Sequence, residues 1–234
     1  MRTNGFEGLV LHRRRVLELV ALAGATLIGC AGTAQPARSA GEEADKEEAE
    51  VTPGEDLMQE HGVLERVLLI YDEAARRIDG GEQLDFNIVT RGATIVRRFI
   101  EEYHEQNEER FVFPRLQKAG REIELVKVLL RQHERGREVT AEIQRQASAG
   151  SGQQLAPLLR AFARMYRPHA AREDTVLFPA FREVVGRGGY VELGEQFEDE
   201  EHRRFGERGF ESTVKEVAEL EAGLGIGDLM KWTP

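Results

Sequence analysis

One eleven-residue pattern occurs twice in this chain, and it restricts the fold more than any other feature. His104-Glu105-Gln106-Asn107-Glu108-Glu109-Arg110-Phe111-Val112-Phe113-Pro114 aligns without a gap on His169-Ala170-Ala171-Arg172-Glu173-Asp174-Thr175-Val176-Leu177-Phe178-Pro179. Both read H-x-x-x-E-[ED]-x-x-apolar-F-P. Each unit follows an amphipathic stretch with one inward histidine, in Glu60-His61 before the first and Gln132-His133 before the second. The chain therefore reads as two copies of a helical hairpin, and a fold must bring the two copies together.

The hydrophobic period is that of helices throughout. Leu57, His61, Leu64, Leu68 and Tyr71 share a face of a first helix that should end near Asp79-Gly80-Gly81. Asp85 is placed to cap a second helix through Ile88, Ile95, Ile100, His104, Glu108 and Phe111. Pro114 predicts that this helix ends or kinks near Phe113. A third helix follows Gly120, with Val126, Leu129, Leu130, His133 and Thr140 inward, and breaks at 148–152. A fourth carries Leu155, Leu158, Phe162, Tyr166, His169, Glu173 and Leu177 and meets Pro179. The expected fold is all-α: an up-down-up-down four-helix bundle over residues 55–185. A C-terminal extension, 186–234, should carry a fifth helix, roughly Tyr190 to Leu220, packed outside the bundle or across one end.

Residues i and i+4 lie one turn apart on the same helix face. His104 with Glu108, and His169 with Glu173, can thus each reach one point of the interior, with His61 and His133 closing the opposite sides. Two buried carboxylates would cost several kcal/mol each if left unpaired, on the order seen for buried charges generally. A pair of cations resolves this, each taking two histidines and both sharing the carboxylates. Mixed imidazole and carboxylate donors suit iron best, and zinc and manganese are compatible with them.

These six positions, with the F-P endings, resemble the hemerythrin-like (HHE cation-binding) family over about residues 55–185. The resemblance implies a non-haem di-iron centre of two iron ions held by His61, His104, Glu108, His133, His169 and Glu173. One departure stands out. Oxygen-carrying hemerythrins place a second histidine four residues after the third-helix ligand, where this chain has Arg137. They also use H-x-x-x-x-D on the fourth helix, for which Asp174 is available, although Glu173 fits the repeat better. The site is then one histidine short of a reversible oxygen carrier. His202, on the fifth helix, is the candidate for an additional ligand or outer partner, or a packing residue near Phe197, Phe205 and Phe210. Tyr103 and Tyr166 sit beside ligand positions. Phe113-Pro114 and Phe178-Pro179 read as helix stops with an aromatic plug.

The first fifty residues read differently. Arg13-Arg14-Arg15-Val16-Leu17 opens an apolar run to Gly29, too short to cross a bilayer as a helix. The arginines resemble a twin-arginine export signal, and Leu27-Ile28-Gly29-Cys30 resembles a lipobox that would leave a lipid anchor on Cys30. An uncleaved N-terminal anchor helix is the other reading of residues 1–30. Residues 31–54 contain no aromatic, Leu, Ile or Met and should form a disordered tether. The implied location is exported, either periplasmic or as a membrane-anchored lipoprotein. A net charge of −10 and the lack of a basic stripe argue against nucleic acid as a partner. Cys30 is the only cysteine, which rules out an intrachain disulfide and a zinc site built on several cysteines.

The expected function is a cell-envelope di-iron protein handling dioxygen, peroxide or nitric oxide. The alternative is a non-catalytic iron-binding or sensing module whose metal staples the bundle. Whether the chain is an enzyme stays open at this point.

Overall fold

The computed structural model describes residues 51–206 and 208–233. The signal expected over 1–30 and the tether up to residue 50 lie outside the described residues. Helix α1, Pro53–Asp79, starts two residues ahead of the expected boundary. Its start is set by a capping box: the Thr52 hydroxyl accepts from the Glu55 N–H, and the Glu55 carboxylate accepts from the Thr52 N–H at 3.0 Å. Pro53 fits the first turn, where its missing N–H has no helical acceptor to lose.

Helix α2 spans 86–118, capped by the Asp85 carboxylate on the Asn87 N–H. It does not end at Phe113. Two π-helical stretches interrupt it, Val96–His104 and Glu108–Val112, and it resumes as Phe113–Lys118. The second stretch removes the obstacle that Pro114 presents. The Phe113 N–H reaches five residues back to the Glu108 carbonyl, and the wider turn gives the proline ring room it would lack in a regular α-helix. Arg115 then donates to the Phe111 carbonyl at 2.9 Å.

Helix α3 is Ile123–Ser148. Helix α4, over 152–185, repeats the device of α2. After Gly152–Arg172 comes a π stretch, Glu173–Leu177, in which the Phe178 N–H meets the Glu173 carbonyl, and the helix runs on through Pro179. The expected stop at Pro179 is therefore corrected in the same way as that at Pro114. The chain bends instead at Gly186, whose φ of 71° is open to glycine. Helix α5 follows over 187–205. A break at Gly206 separates it from α6, Gly209–Leu224, so the single fifth helix expected from the sequence is two helices.

The four long helices form the bundle, and the apolar residues divide into two clusters along it. One holds Leu68, Tyr71, Phe99, Ile143, Leu159 and Phe162. The other holds Leu57, Phe113, Leu116, Leu129, Phe178 and Phe181. On every bundle helix the histidine lies between residues of the first cluster and residues of the second. The site is thus a polar layer between two apolar plugs, each buried Leu or Phe contributing about 1.5–3 kcal/mol. Helix α5 closes the second cluster with Leu193 and Phe197, and the Tyr190 hydroxyl accepts from the Gly54 N–H at 3.0 Å. Helix α6 completes the first cluster with Val217, Leu220 and Leu224. Arg66 clamps Glu221 with two bonds of 2.6 and 2.9 Å.

Candidate metal centre

Each bundle helix delivers one imidazole to the polar layer, and each imidazole is oriented by a hydrogen bond at its outer nitrogen. Nδ1 of His61 donates to Asp174 at 2.7 Å, and Nδ1 of His104 to Glu60 at 2.7 Å. Nδ1 of His133 donates to Glu109 at 3.0 Å, and Nδ1 of His169 to the Gln132 side-chain oxygen at 2.9 Å. With the proton held on Nδ1, Nε2 of a neutral ring keeps its lone pair and points inward.

The inner nitrogens meet in pairs. Nε2 of His61 lies 3.0 Å from that of His104, and Nε2 of His133 lies 3.2 Å from that of His169. Two lone pairs at that distance repel unless a proton or a metal cation lies between them. The two carboxylates lie across the pairs. Glu108 is 3.7 Å from His104 and 3.5 Å from His133, while Glu173 is 3.3 Å from His61 and 3.0 Å from His169. Both are fully buried, and none of their four oxygens has a hydrogen-bond partner. Orphaned carboxylate oxygens at zero exposure are rare in folded proteins and call for a counter-ion. One ligand atom from each of His61, His104, Glu108 and Glu173 falls within 4.8 Å of the others, as do atoms of His133, His169 and Glu173. These donors, imidazole nitrogens and carboxylate oxygens without other partners, fit a metal-cation site.

The electrostatics of the bare donors carry the same message. Burial pulls the His61 imidazole down, but the hydrogen bond to Asp174 and the nearby carboxylate of Glu173 outweigh it and push it up to about 9. Burial holds the His104 imidazole well below its ordinary value, with charge on His61 acting in the same direction. Burial and the charge of Glu173 raise the Glu108 carboxyl well above the usual range. Glu173 is held well below it, because His169 and His61 overcome the penalty of burial. Protons are here substituting for positive charge that the cluster requires.

The structure brings together all six residues singled out in the sequence: His61, His104, Glu108, His133, His169 and Glu173. Asp174 is not among the inner donors; one position round the helix from Glu173, it is the outer partner of His61. Arg137 does not enter the layer either. Its guanidinium donates to Glu109 at 2.5 Å and Glu105 at 2.8 Å, joining two carboxylates on the outer side of His133. His202 stands exposed on α5 and belongs to no such cluster among the described residues, so it is corrected to a surface residue. Tyr166 donates to Glu105 at 2.7 Å, and its ring centre is 5.3 Å from that of His169. Tyr103 is buried against the Glu60 side, with its hydroxyl pushed up by burial and by the charges of Glu60 and Asp56.

Two features went unread in the sequence. The outer partners Glu60, Gln132, Glu109 and Asp174 flank the ligands in both copies, one before the single histidine and one after the glutamate, and that registered recurrence was their signal. The phenylalanine of each F-P pair is more than a plug: Phe113 stacks on His133 at 5.5 Å and Phe178 on His61 at 5.7 Å, each across to the other hairpin.

Between α1 and α4 a mostly apolar groove of about 340 Å³ reaches His61 and Tyr166. Its walls include Met58, Leu64, Leu68 and Ala170, with Gly62 at the surface.

A four-helix bundle with four inward imidazoles and two buried, orphaned carboxylates is a metal-binding module. The chain belongs to the hemerythrin HHE cation binding domain family, whose model matches residues 52–181. A protein of Mycobacterium bovis and proteins from two strains of Mycobacterium tuberculosis, all called uncharacterized, are each 44% identical to it over 231 residues. The match covers 95% of this chain and 91% of each relative, so it extends well beyond the bundle. No solved structure matches the chain.

Proposed function

We propose that this protein is a non-haem di-iron protein that handles a small uncharged oxidant or gas: dioxygen, peroxide or nitric oxide. One observation carries the reading: Glu108 and Glu173, buried without hydrogen-bond partners, each lie within reach of one histidine from both Nε2 pairs. On this reading His61 and His104 hold one iron, His133 and His169 the other, and Glu108 and Glu173 are shared. Iron so held would supply one-electron redox chemistry and, with few protein donors, room for a small ligand. The chain's own part is to fix the imidazoles through their Nδ1 bonds, exclude bulk water with the two apolar clusters, and admit small molecules by the α1/α4 groove.

Ligand charge follows from the groove. Arg167, beside it, is paired with Glu65 at 3.0 Å and Asp72 at 2.6 Å, and Asp174 adds a further carboxylate. The rim carries no surplus positive charge to draw an anion, and the apolar walls favour neutral molecules. The lack of a histidine at Arg137 argues against reversible oxygen carriage and for turnover or sensing.

The test is metal analysis of the purified protein with optical spectra under air, peroxide and nitric oxide. Two irons per chain and ligand-dependent bands are expected. A chain free of metal would remove the proposal, and peroxide loss no faster than in His104→Ala would remove the peroxide-consuming reading. A place in the cell envelope, through a lipid on Cys30, rests on the signal-like residues 12–30 alone. Membrane fractions retaining the wild type but not Cys30→Ala would support it.

A further inference from the structure

The two metal positions are built on a repeat, yet their surroundings differ at two places where the copies diverge. The residue before the single histidine is Glu60 in the first hairpin and Gln132 in the second. Each bonds the H-x-x-x-E histidine of its own hairpin: Glu60 takes the Nδ1 proton of His104 at 2.7 Å, Gln132 that of His169 at 2.9 Å. One imidazole thus leans on a carboxylate, its counterpart on a neutral amide. Four residues after the single histidine stands Glu65 in the first copy and Arg137 in the second. Glu65 faces outward and pairs with Arg167. Arg137 turns onto Glu109, the support of His133, and draws on the same oxygen that accepts the His133 proton.

The consequences add. His61 and His104 are backed by two carboxylates, Asp174 and Glu60. His133 and His169 are backed by one carboxylate shared with a guanidinium, and by an amide. An imidazole whose N–H donates to a carboxylate gains electron density at its other nitrogen and becomes the stronger ligand. Charge in the surrounding shell also favours a cation at the first position, where Asp174 and Glu60 lie on the two histidines, whereas at the second Arg137 partly offsets Glu109 and the neighbouring Glu105. Taking the two-iron reading above as its basis, we infer that the centre is asymmetric: the His61/His104 position binds its metal more tightly, and the His133/His169 position gives its metal up first, with Glu60, Gln132 and Arg137 as the positioning residues that set the difference.

The experiment is equilibrium competition. Iron-loaded full-length protein is dialysed anaerobically against graded concentrations of a chromogenic ferrous chelator, and the iron retained per chain is counted. Two steps separated by about tenfold or more in chelator are expected, the usual scale for an outer-shell partner. Glu60→Gln should move the tighter step toward the weaker one, while Gln132→Glu should move the weaker step toward the tighter. Mössbauer spectra of the half-depleted sample should show one of the two original iron signals selectively lost. A single step for both irons would overturn the inference while leaving the two-iron reading intact, as would a Glu60→Gln variant that moves only the weaker step. A chain that takes up no iron overturns both.

Discussion

Nε2 of His61 and Nε2 of His104 lie 3.0 Å apart, delivered by two different helices of one hairpin. The same contact recurs between His133 and His169 in the second hairpin. No pair of neutral imidazoles with Nδ1 protonated gains from such a contact, so the stability of the bundle is bound up with what fills the site.

Metal and stability should therefore rise together. The iron-loaded protein is expected to melt well above its chelated form, by about 4 kcal/mol if free metal is a thousandfold above its dissociation constant. His104→Ala and Glu173→Ala should lose the metal and that increment. His202→Ala, at an exposed position, should keep both. Calorimetry with metal analysis on the same samples decides the matter.

The chelated protein should become less stable as pH rises. His61 has its folded-state value raised from 6.5 to about 9 by Asp174 and Glu173 against the pull of burial, so its contribution is complete below about pH 6.5 and lost through about pH 9. Glu108, raised by burial, acts in the same direction. A loss on the order of 3 kcal/mol follows for His61 alone. Urea midpoints of chelated protein across that range should fall, whereas loaded protein, in which metal replaces the protons, should not follow them.

Gly136 is expected to be intolerant. A Cβ there would overlap the Tyr166 hydroxyl, which is tied to Glu105. Gly136→Ala should cost about 1–3 kcal/mol, the usual penalty for overpacking a core. A denaturation midpoint unchanged from wild type would show that Tyr166 has another place to go.

Gly62 should be tolerant but consequential. A Cβ there meets nothing within 4 Å, and the residue lines the groove beside His61. Gly62→Leu should leave iron content and melting unaltered while slowing association of nitric oxide, read by stopped-flow absorbance. Gly188→Leu, equally open but away from the groove, should bind at the wild-type rate.

The helices were legible because their signals are local. The apolar period, the Asp79-Gly80-Gly81 break and the Asp85 cap act within a few residues, and the structure follows them. The prolines misled as helix stops because the π turn that lets the helix run on through Pro114 and Pro179 is a matter of hydrogen-bond register, for which no residue type is diagnostic. The outer partners were hidden for a related reason. Glu109 and Asp174 each lie one residue further round the helix than a ligand glutamate, a direction that by itself is indistinguishable from a solvated face.

The sequence alone determined the four amphipathic helices and their duplication and singled out six candidate donors, since periodicity and a repeated pattern can both be read along the chain. Tertiary structure decided the rest: that Asp174 supports His61 and Glu109 supports His133 across hairpins, that Phe178 and Phe113 stack on the opposite copy, and that His202 is left outside. The physical reason is one of range. Helical order is set by neighbours within a turn, whereas the partner of a side chain on the helix flank is chosen by the placement of another helix more than twenty residues away.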